Sequence, residues 1–239
     1  MVGIGPGDPL DRTKRAEKAI GASSVVVGYT TYIELVEDLI GNRRVISTGM
    51  TGEVERCRKA CEEAAAGELV SLISSGDPGI YGMAGLAIQI RHEMDEPSFE
   101  VEVVPGVTAA STAAARMGAP LMLDFASISL SDLLVSWDVI KKRLRAVARA
   151  DMVCVLYNPR SKRRTENLKR AQDVFLNHRA PTTTVGIGTA VGREEERILV
   201  TTLQDMPLDK VDMRSTVIIG NDSSDNIDGL FVTPRGYTL

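Results

Sequence analysis

The chain has 239 residues, of which 44% are hydrophobic, 25% charged and only 4% aromatic, with a formal net charge of −4. That length suits one large domain or two of about 120 residues each. No apolar run approaches the roughly 18 residues of a membrane span, Gly5-Pro6-Gly7-Asp8 interrupts any signal-peptide pattern, and net acidity argues against general nucleic-acid binding; a cytoplasmic location is expected.

In chain order, short apolar runs alternate with helical stretches, the pattern of an α/β fold with largely parallel strands. The spacing predicts strand Val2–Gly5, helix Asp11–Gly21, strand Val25–Gly28, helix Tyr32–Ile40, strand Arg44–Ser47, helix Glu53–Ala66 and strand Leu69–Ser74. Helix Met83–Met94, strand Val101–Pro105 and an alanine-rich helix Val107–Met117 follow. The first strand begins so close to Met1 that either it is short or the start lies a few residues upstream. Gly118-Ala119-Pro120 stops the alanine-rich helix, since proline disfavours helix before it and lacks a donor; the domain boundary is placed there, giving domains 1–119 and 120–239. The second half opens with a less regular piece, Leu121–Leu134, then predicts helix Trp137–Arg149, strand Met152–Tyr157, helix Arg164–Asn177 and strand Thr183–Ile187. Arg197–Thr201, Ser215–Gly220 and Leu230–Thr233 read as further strands in a mixed or antiparallel arrangement.

Three cysteines, Cys57, Cys61 and Cys154, are too few for a disulfide framework. Cys57 and Cys61 share a helix face with Val54 and Ala64, spaced as a buried stripe. His92 and His178 lie in polar helical surroundings and are expected at the surface, so neither zinc nor histidine-based chemistry is indicated and no protein-bound metal is expected.

Glycine and proline cluster where strands end, the place ligands occupy in open α/β sheets. Gly3-Ile4-Gly5-Pro6-Gly7-Asp8 lacks the third glycine of the dinucleotide fingerprint, and the second strand ends in Gly28-Tyr29 rather than an acid. Apolar residues run straight into Ser74-Ser75-Gly76-Asp77-Pro78-Gly79-Ile80-Tyr81-Gly82, where Asp77 is placed to accept hydrogen bonds from a ligand. Val104-Pro105-Gly106-Val107-Thr108-Ala109 leads into a helix whose first N–H groups lack intrahelical partners.

These three junctions, in this order and spacing, resemble the tetrapyrrole methylase family, the class III S-adenosylmethionine methyltransferases. The likeness covers essentially the whole chain. It implies two α/β domains, a cofactor and substrate cleft between them, a homodimer, and a tetrapyrrole substrate. Gly28-Tyr29-Thr30-Thr31-Tyr32, Thr48-Gly49-Met50, Ile128-Ser129-Leu130-Ser131-Asp132-Leu133, Leu156-Tyr157-Asn158-Pro159-Arg160-Ser161 and Thr233-Pro234-Arg235-Gly236-Tyr237 are most similar to the branch that methylates C(17) of cobalt-precorrin-3 or precorrin-3B with ring contraction. The family tends to carry a His before the Asp-Phe pair and a Cys after it; Leu123-Asp124-Phe125-Ala126 has neither, so no acid–base role for that His carries over.

The resemblance implies S-adenosylmethionine contacts at Pro6, Gly76, Asp77, Ile80, Thr108, Ala109, Asn158 and Gly188. Candidates for the proton transfers of ring contraction, by position alone, are Tyr29, Asp124, Ser129, Ser131 and Asp132. Residues 139–170 hold eleven Lys or Arg against two acids, a net +9 that leaves −13 on the rest. Within it Arg160, Lys162, Arg163 and Arg164 follow a strand end and are expected to meet substrate carboxylates, whereas 141–149 is read as a solvated helix face. The rival readings are a sister methylase acting at another macrocycle carbon, a nucleotide-binding oxidoreductase, and a non-catalytic corrinoid carrier.

Overall fold

The computed structural model describes residues 1–238. By packing, the chain divides into two units, Met1–Thr108 and Ala109–Leu239.

In the first unit, β1 (Val2–Gly3), α1 (Lys14–Ala22), β2 (Val25–Tyr29), α2 (Thr30–Glu34), α3 (Glu37–Ile40), β3 (Arg44–Thr48), α4 (Glu53–Ala65), β4 (Val70–Ser74) and α5 (Ala84–His92) follow in turn. The four strands pair in parallel in the order β1-β4-β2-β3. Successive strand side chains point to opposite faces. Val25 and Val27 therefore join Cys57, Cys61, Leu72 and Ile90 on one side, while Val26 joins Ile4, Ile20, Ile73 and Val104 on the other. Both faces are covered, as a parallel sheet requires. Helix α1 begins where the Thr13 hydroxyl accepts from the Ala16 N–H at 3.1 Å.

The second unit contains α6 (Ala109–Met117), β5 (Gly118–Ala119), β6 (Phe125–Ser129), α7 (Trp137–Arg149), β7 (Val153–Tyr157), α8 (Asn167–Leu176), β8 (Thr184–Thr189), β9 (Arg197–Thr202), β10 (Ser215–Ile219), β11 (Asp225–Ile227) and β12 (Leu230–Val232). Its five-stranded sheet has the order β6-β7-β10-β8-β9; only β6–β7 is parallel. A small sheet orders β11-β12-β5. Cys154, Leu156, Val217 and Ile219 pack on α7 and α8, while Val153, Val155 and Ile218 turn to the opposite face with Ala110, Ala113 and Met117 of α6 and with Phe231.

Several expectations change here. The packing division falls after Thr108 rather than after Ala119: α6 does end at Met117, but its Ala110, Ala113 and Met117 are buried against the second unit's sheet. The expected helix Tyr32–Ile40 is two short helices separated by Leu35 and Val36. The strand expected at Val101–Pro105 is a single bridge, Val104 to Val2. The irregular piece Leu121–Leu134 contains strand β6. Helix α8 starts at Asn167, not Arg164. In α4 the buried positions are Arg56, Cys57, Ala60 and Cys61, and Val54 is exposed.

Two glycines let α6 lie close on β8. A Cβ at Gly186 would overlap the Met117 sulfur and come within 3.0 Å of the Phe231 ring. Both partners are fully buried. Gly186→Ala is therefore expected to cost about 1–3 kcal/mol of stability by overpacking, read as a lower midpoint in urea.

Candidate active site

In the first unit, the three glycine-rich turns converge at the carboxyl ends of the strands. The Gly5 and Gly76 backbones bond each other, with Gly76 donating to the Gly5 carbonyl at 2.7 Å and Gly5 to the Gly76 carbonyl at 3.3 Å. Gly106 completes the crossing: a Cβ there would overlap the Gly76 carbonyl oxygen and lie 2.8 Å from the Gly3 carbonyl carbon. Only glycine allows backbones this close.

Asp77 ties the turns together rather than standing free. Its Oδ1 accepts from the Gly79 N–H at 2.8 Å and its Oδ2 from the Gly106 N–H at 3.1 Å. Ile80 and Tyr81 project from the same loop and are exposed; Tyr81 has a left-handed φ of 54°. Asp8 caps the short 3-10 turn after Pro6, accepting from the Leu10 N–H at 2.9 Å. Thr108 closes the third turn and the first unit.

Tyr29 ends β2 and meets Tyr32 edge-on, 5.2 Å between ring centroids. Beside it lies Arg56, a residue that reading the sequence missed. Arg56 is 3% exposed, and its Nε donates to Thr48 Oγ1 at 2.7 Å, Nη2 to the Gly49 carbonyl at 2.8 Å and Nη1 to the Met83 sulfur at 3.3 Å. The guanidinium sits 5.8 Å from the Tyr29 ring centroid.

In the second unit, the segments 128–133 and 156–161 are bonded together. Asn158 Nδ2 donates to Ser129 Oγ at 3.0 Å, and the same oxygen accepts from the Ser131 N–H at 3.2 Å. Asn158 holds a left-handed φ of 50°. Arg164 braces it, Nη2 donating to the Asn158 carbonyl at 3.0 Å and Nη1 to Ser131 Oγ at 3.4 Å. Arg160 donates to the Leu208 carbonyl at 2.9 Å. Two of the four cations expected to meet carboxylates are thus engaged within the fold, while Lys162 and Arg163 are exposed.

The first turn of α6, beginning at Ala109, already has an acceptor: the Ala110 N–H donates to the Tyr157 hydroxyl at 2.9 Å. Gly188 lies buried in β8, where a Cβ would come within 2.7 Å of Val191 and 3.1 Å of Ala113. Its lack of a side chain is explained by helix packing. Asp124 and Asp132 are exposed and are not joined to the Ser129–Asn158 cluster by any hydrogen bond among the described residues.

Cysteine chemistry is disfavoured. Burial pushes the Cys57 thiol up to about 11, with Cys61 adding to it, and burial pushes Cys154 up to about 12. Both stay neutral thiols near pH 7, and the thiolate is the nucleophile. His92 and His178 are exposed, as expected. Among the described residues no three His, Cys, Asp or Glu side chains gather as metal ligands, and no helix is long and apolar enough to cross a membrane.

The profile of the tetrapyrrole (corrin/porphyrin) methylases matches residues 1–207. A Salmonella typhimurium protein named "Probable cobalt-factor III C(17)-methyltransferase" is 49% identical, over 100% of this chain and 99% of its own. A Priestia megaterium "Cobalt-factor III methyltransferase" is 45% identical over 99% of this chain, and the match spans 44% of that longer protein. The crystal structure of the methyltransferase CobJ superposes with a TM-score of 0.91 at 34% identity, over 98% of each chain.

Proposed function

The chain belongs to the tetrapyrrole (corrin/porphyrin) methylases, and on that basis we propose that it transfers a methyl group from S-adenosylmethionine to C(17) of cobalt-precorrin-3 (or precorrin-3B), with ring contraction, in cobalamin biosynthesis. The observation that carries this reading is the 49% identity, end to end, with a relative bearing a C(17)-methyltransferase name. The bonded pair of segments around Ser129 and Asn158 supports it, because those segments carry the likeness to that branch.

When bound, S-adenosylmethionine supplies an electrophilic methyl on sulfonium, and the electron-rich macrocycle supplies the carbon nucleophile. Such a displacement asks the protein to align the reactants and exclude water rather than to provide a nucleophile. Neutral buried thiols and exposed histidines agree with that demand. The glycine crossing fits the cofactor's chemistry: Gly3, Gly76 and Gly106 let the three backbones meet closely, which brings backbone polar groups to the strand ends beside the exposed Ile80.

Pro6, Gly76, Asp77, Ile80 and Thr108 in the first unit, and Ala109, Asn158 and Gly188 in the second, are the proposed cofactor contacts. Asp77 also fixes the shape of its loop, and Gly188 also admits α6. Lys162 and Arg163 are proposed to meet substrate carboxylates, with Arg160 and Arg164 holding the loop that bears them. Proton transfer is assigned to the set Tyr29, Asp124, Ser131 and Asp132. A homodimer is part of the same reading, supported by Leu133 and Leu134, which are 80% and 98% exposed and favour burial against a partner.

Mass spectrometry of the macrocycle tests the proposal. The protein, S-adenosylmethionine and either cobalt-precorrin-3 or precorrin-3B are incubated side by side. A gain of one methyl on either substrate, placed at C(17), is the expected result. No gain on either, with cofactor binding demonstrated by calorimetry, overturns the substrate assignment.

A further inference from the structure

Arg56 is a cation buried without a counter-ion. It is 3% exposed, and no carboxylate among the described residues forms an ion pair with it. Its nearest acidic neighbour in sequence, Glu55, pairs with Lys59 instead. A guanidinium does not shed its proton to escape burial, and an uncompensated buried charge is strongly disfavoured. The three groups it bonds, the Thr48 hydroxyl, the Gly49 carbonyl and the Met83 thioether, are all neutral.

Its position is informative. Thr48 ends β3, Tyr29 ends β2, and Met83 follows the glycine loop after β4, so the cation lies under three strand-end segments of one parallel sheet. The turn above it, Gly49-Met50-Thr51, is exposed, and a Cβ on Gly49 would meet nothing within 4 Å. Anionic ligands gather at such strand ends, and a low-dielectric surround strengthens the pull of a fixed charge on them.

We propose that Arg56 is the countercharge for a rim carboxylate of the macrocycle seated over the Gly49–Thr51 turn, an inference that rests on the tetrapyrrole reading above. The substrate brings the anion that the fold omits. Binding is then coupled to the placement of Tyr29, which shares the same guanidinium.

The test compares wild type, Arg56→Gln and Arg56→Lys, measuring the tetrapyrrole KM across a range of salt, S-adenosylmethionine affinity by calorimetry, and Tm. For Arg56→Gln the expected result is a KM raised roughly tenfold with a flattened salt dependence and cofactor affinity within about twofold; Arg56→Lys keeps the charge and stays within about threefold of wild type in KM. A purely structural arginine predicts otherwise: lysine cannot reproduce the three-point contact, so both variants would lose Tm and affinity for both ligands alike. That outcome, or an unchanged salt slope in Arg56→Gln, overturns the proposal. Should the glutamine variant not fold, Arg56→Lys carries the test, because loss of its salt dependence or of substrate affinity alone contradicts a role for charge. If the wild type methylates neither tetrapyrrole, it is the underlying substrate reading that fails, and the inference falls with it.

Discussion

Alanine at Gly106 is expected to leave the first unit without a usable cofactor loop. The added methyl group has no free direction: it meets the Gly76 carbonyl oxygen and the Gly3 carbonyl carbon and oxygen, all backbone atoms on two other turns. A side chain can rotate away from an intruding atom, but a hydrogen-bonded backbone cannot. Gly3 and Gly76 are each fixed, Gly3 by its N–H bond to the Val104 carbonyl at 3.0 Å and Gly76 by its exchange with Gly5. We expect a loss of about 3 kcal/mol or more in stability, together with S-adenosylmethionine affinity too weak to measure by calorimetry. A Gly106→Ala protein with wild-type Tm and affinity would show that the crossing is not the binding element.

Asp77 yields the second large effect, and a graded series separates two explanations of it. If Asp77 acts as a clamp, Asp77→Ala releases both the Gly79 and Gly106 N–H groups, whereas Asp77→Asn keeps one acceptor oxygen. Hydrogen bonds to an ionised carboxylate contribute about 1.5–3 kcal/mol each, less where exposed. The expected order in both Tm and cofactor affinity is therefore wild type, then Asn, then Ala, with affinity reduced about tenfold or more in the alanine variant. A direct ionic contact with the ligand predicts a different pattern: Asn and Ala equally poor in binding, and Tm little changed in Asn. Calorimetry and thermal melts on the same three proteins decide between them.

The turns were legible in the sequence because glycine and proline act locally. Gly76-Asp77-Pro78-Gly79 announces a tight turn wherever it stands, and the largely apolar stretch Leu69–Ser74 before it announces the strand that feeds it. What the turns do to one another was not legible. No local pattern says that Asp77 reaches Gly106, or that Gly3, Gly76 and Gly106 share one crossing, since those contacts join segments far apart in the chain. Arg56 was missed for a related reason. A charged residue inside an amphipathic helix is normally read as surface, and Val54 was the natural choice for the inner face; α4 is turned so that Arg56 points inward and Val54 outward. Strand β6 was missed because it is an edge strand of mixed polarity, with only Ile128 buried. Near Pro120 the local signal and the packing divide the chain at different places: proline ends a helix, but the packing of Met117 and Ala113 against Gly186 and Gly188 groups that helix with the second unit. Among the second unit's candidates, Arg160 and Arg164 carried the right charge for the substrate yet are committed to the Leu208 and Asn158 carbonyls, a use of arginine that spacing alone does not reveal.

The crossing of the three turns also constrains when the site comes into being. Strand β1 is only two residues long, and its partners arrive late: it pairs with β4, and the Gly3 N–H bonds Val104. On a ribosome, β1 emerges before its partners and must therefore wait, unpaired, until residues 70–106 have been made and freed from the exit tunnel. Contacts between distant segments form slowly because the intervening chain must first be closed. A truncated or stalled nascent chain ending before Gly106 has two of the turns and no completed crossing, so the crossing closes only when nearly the whole first unit has been synthesised.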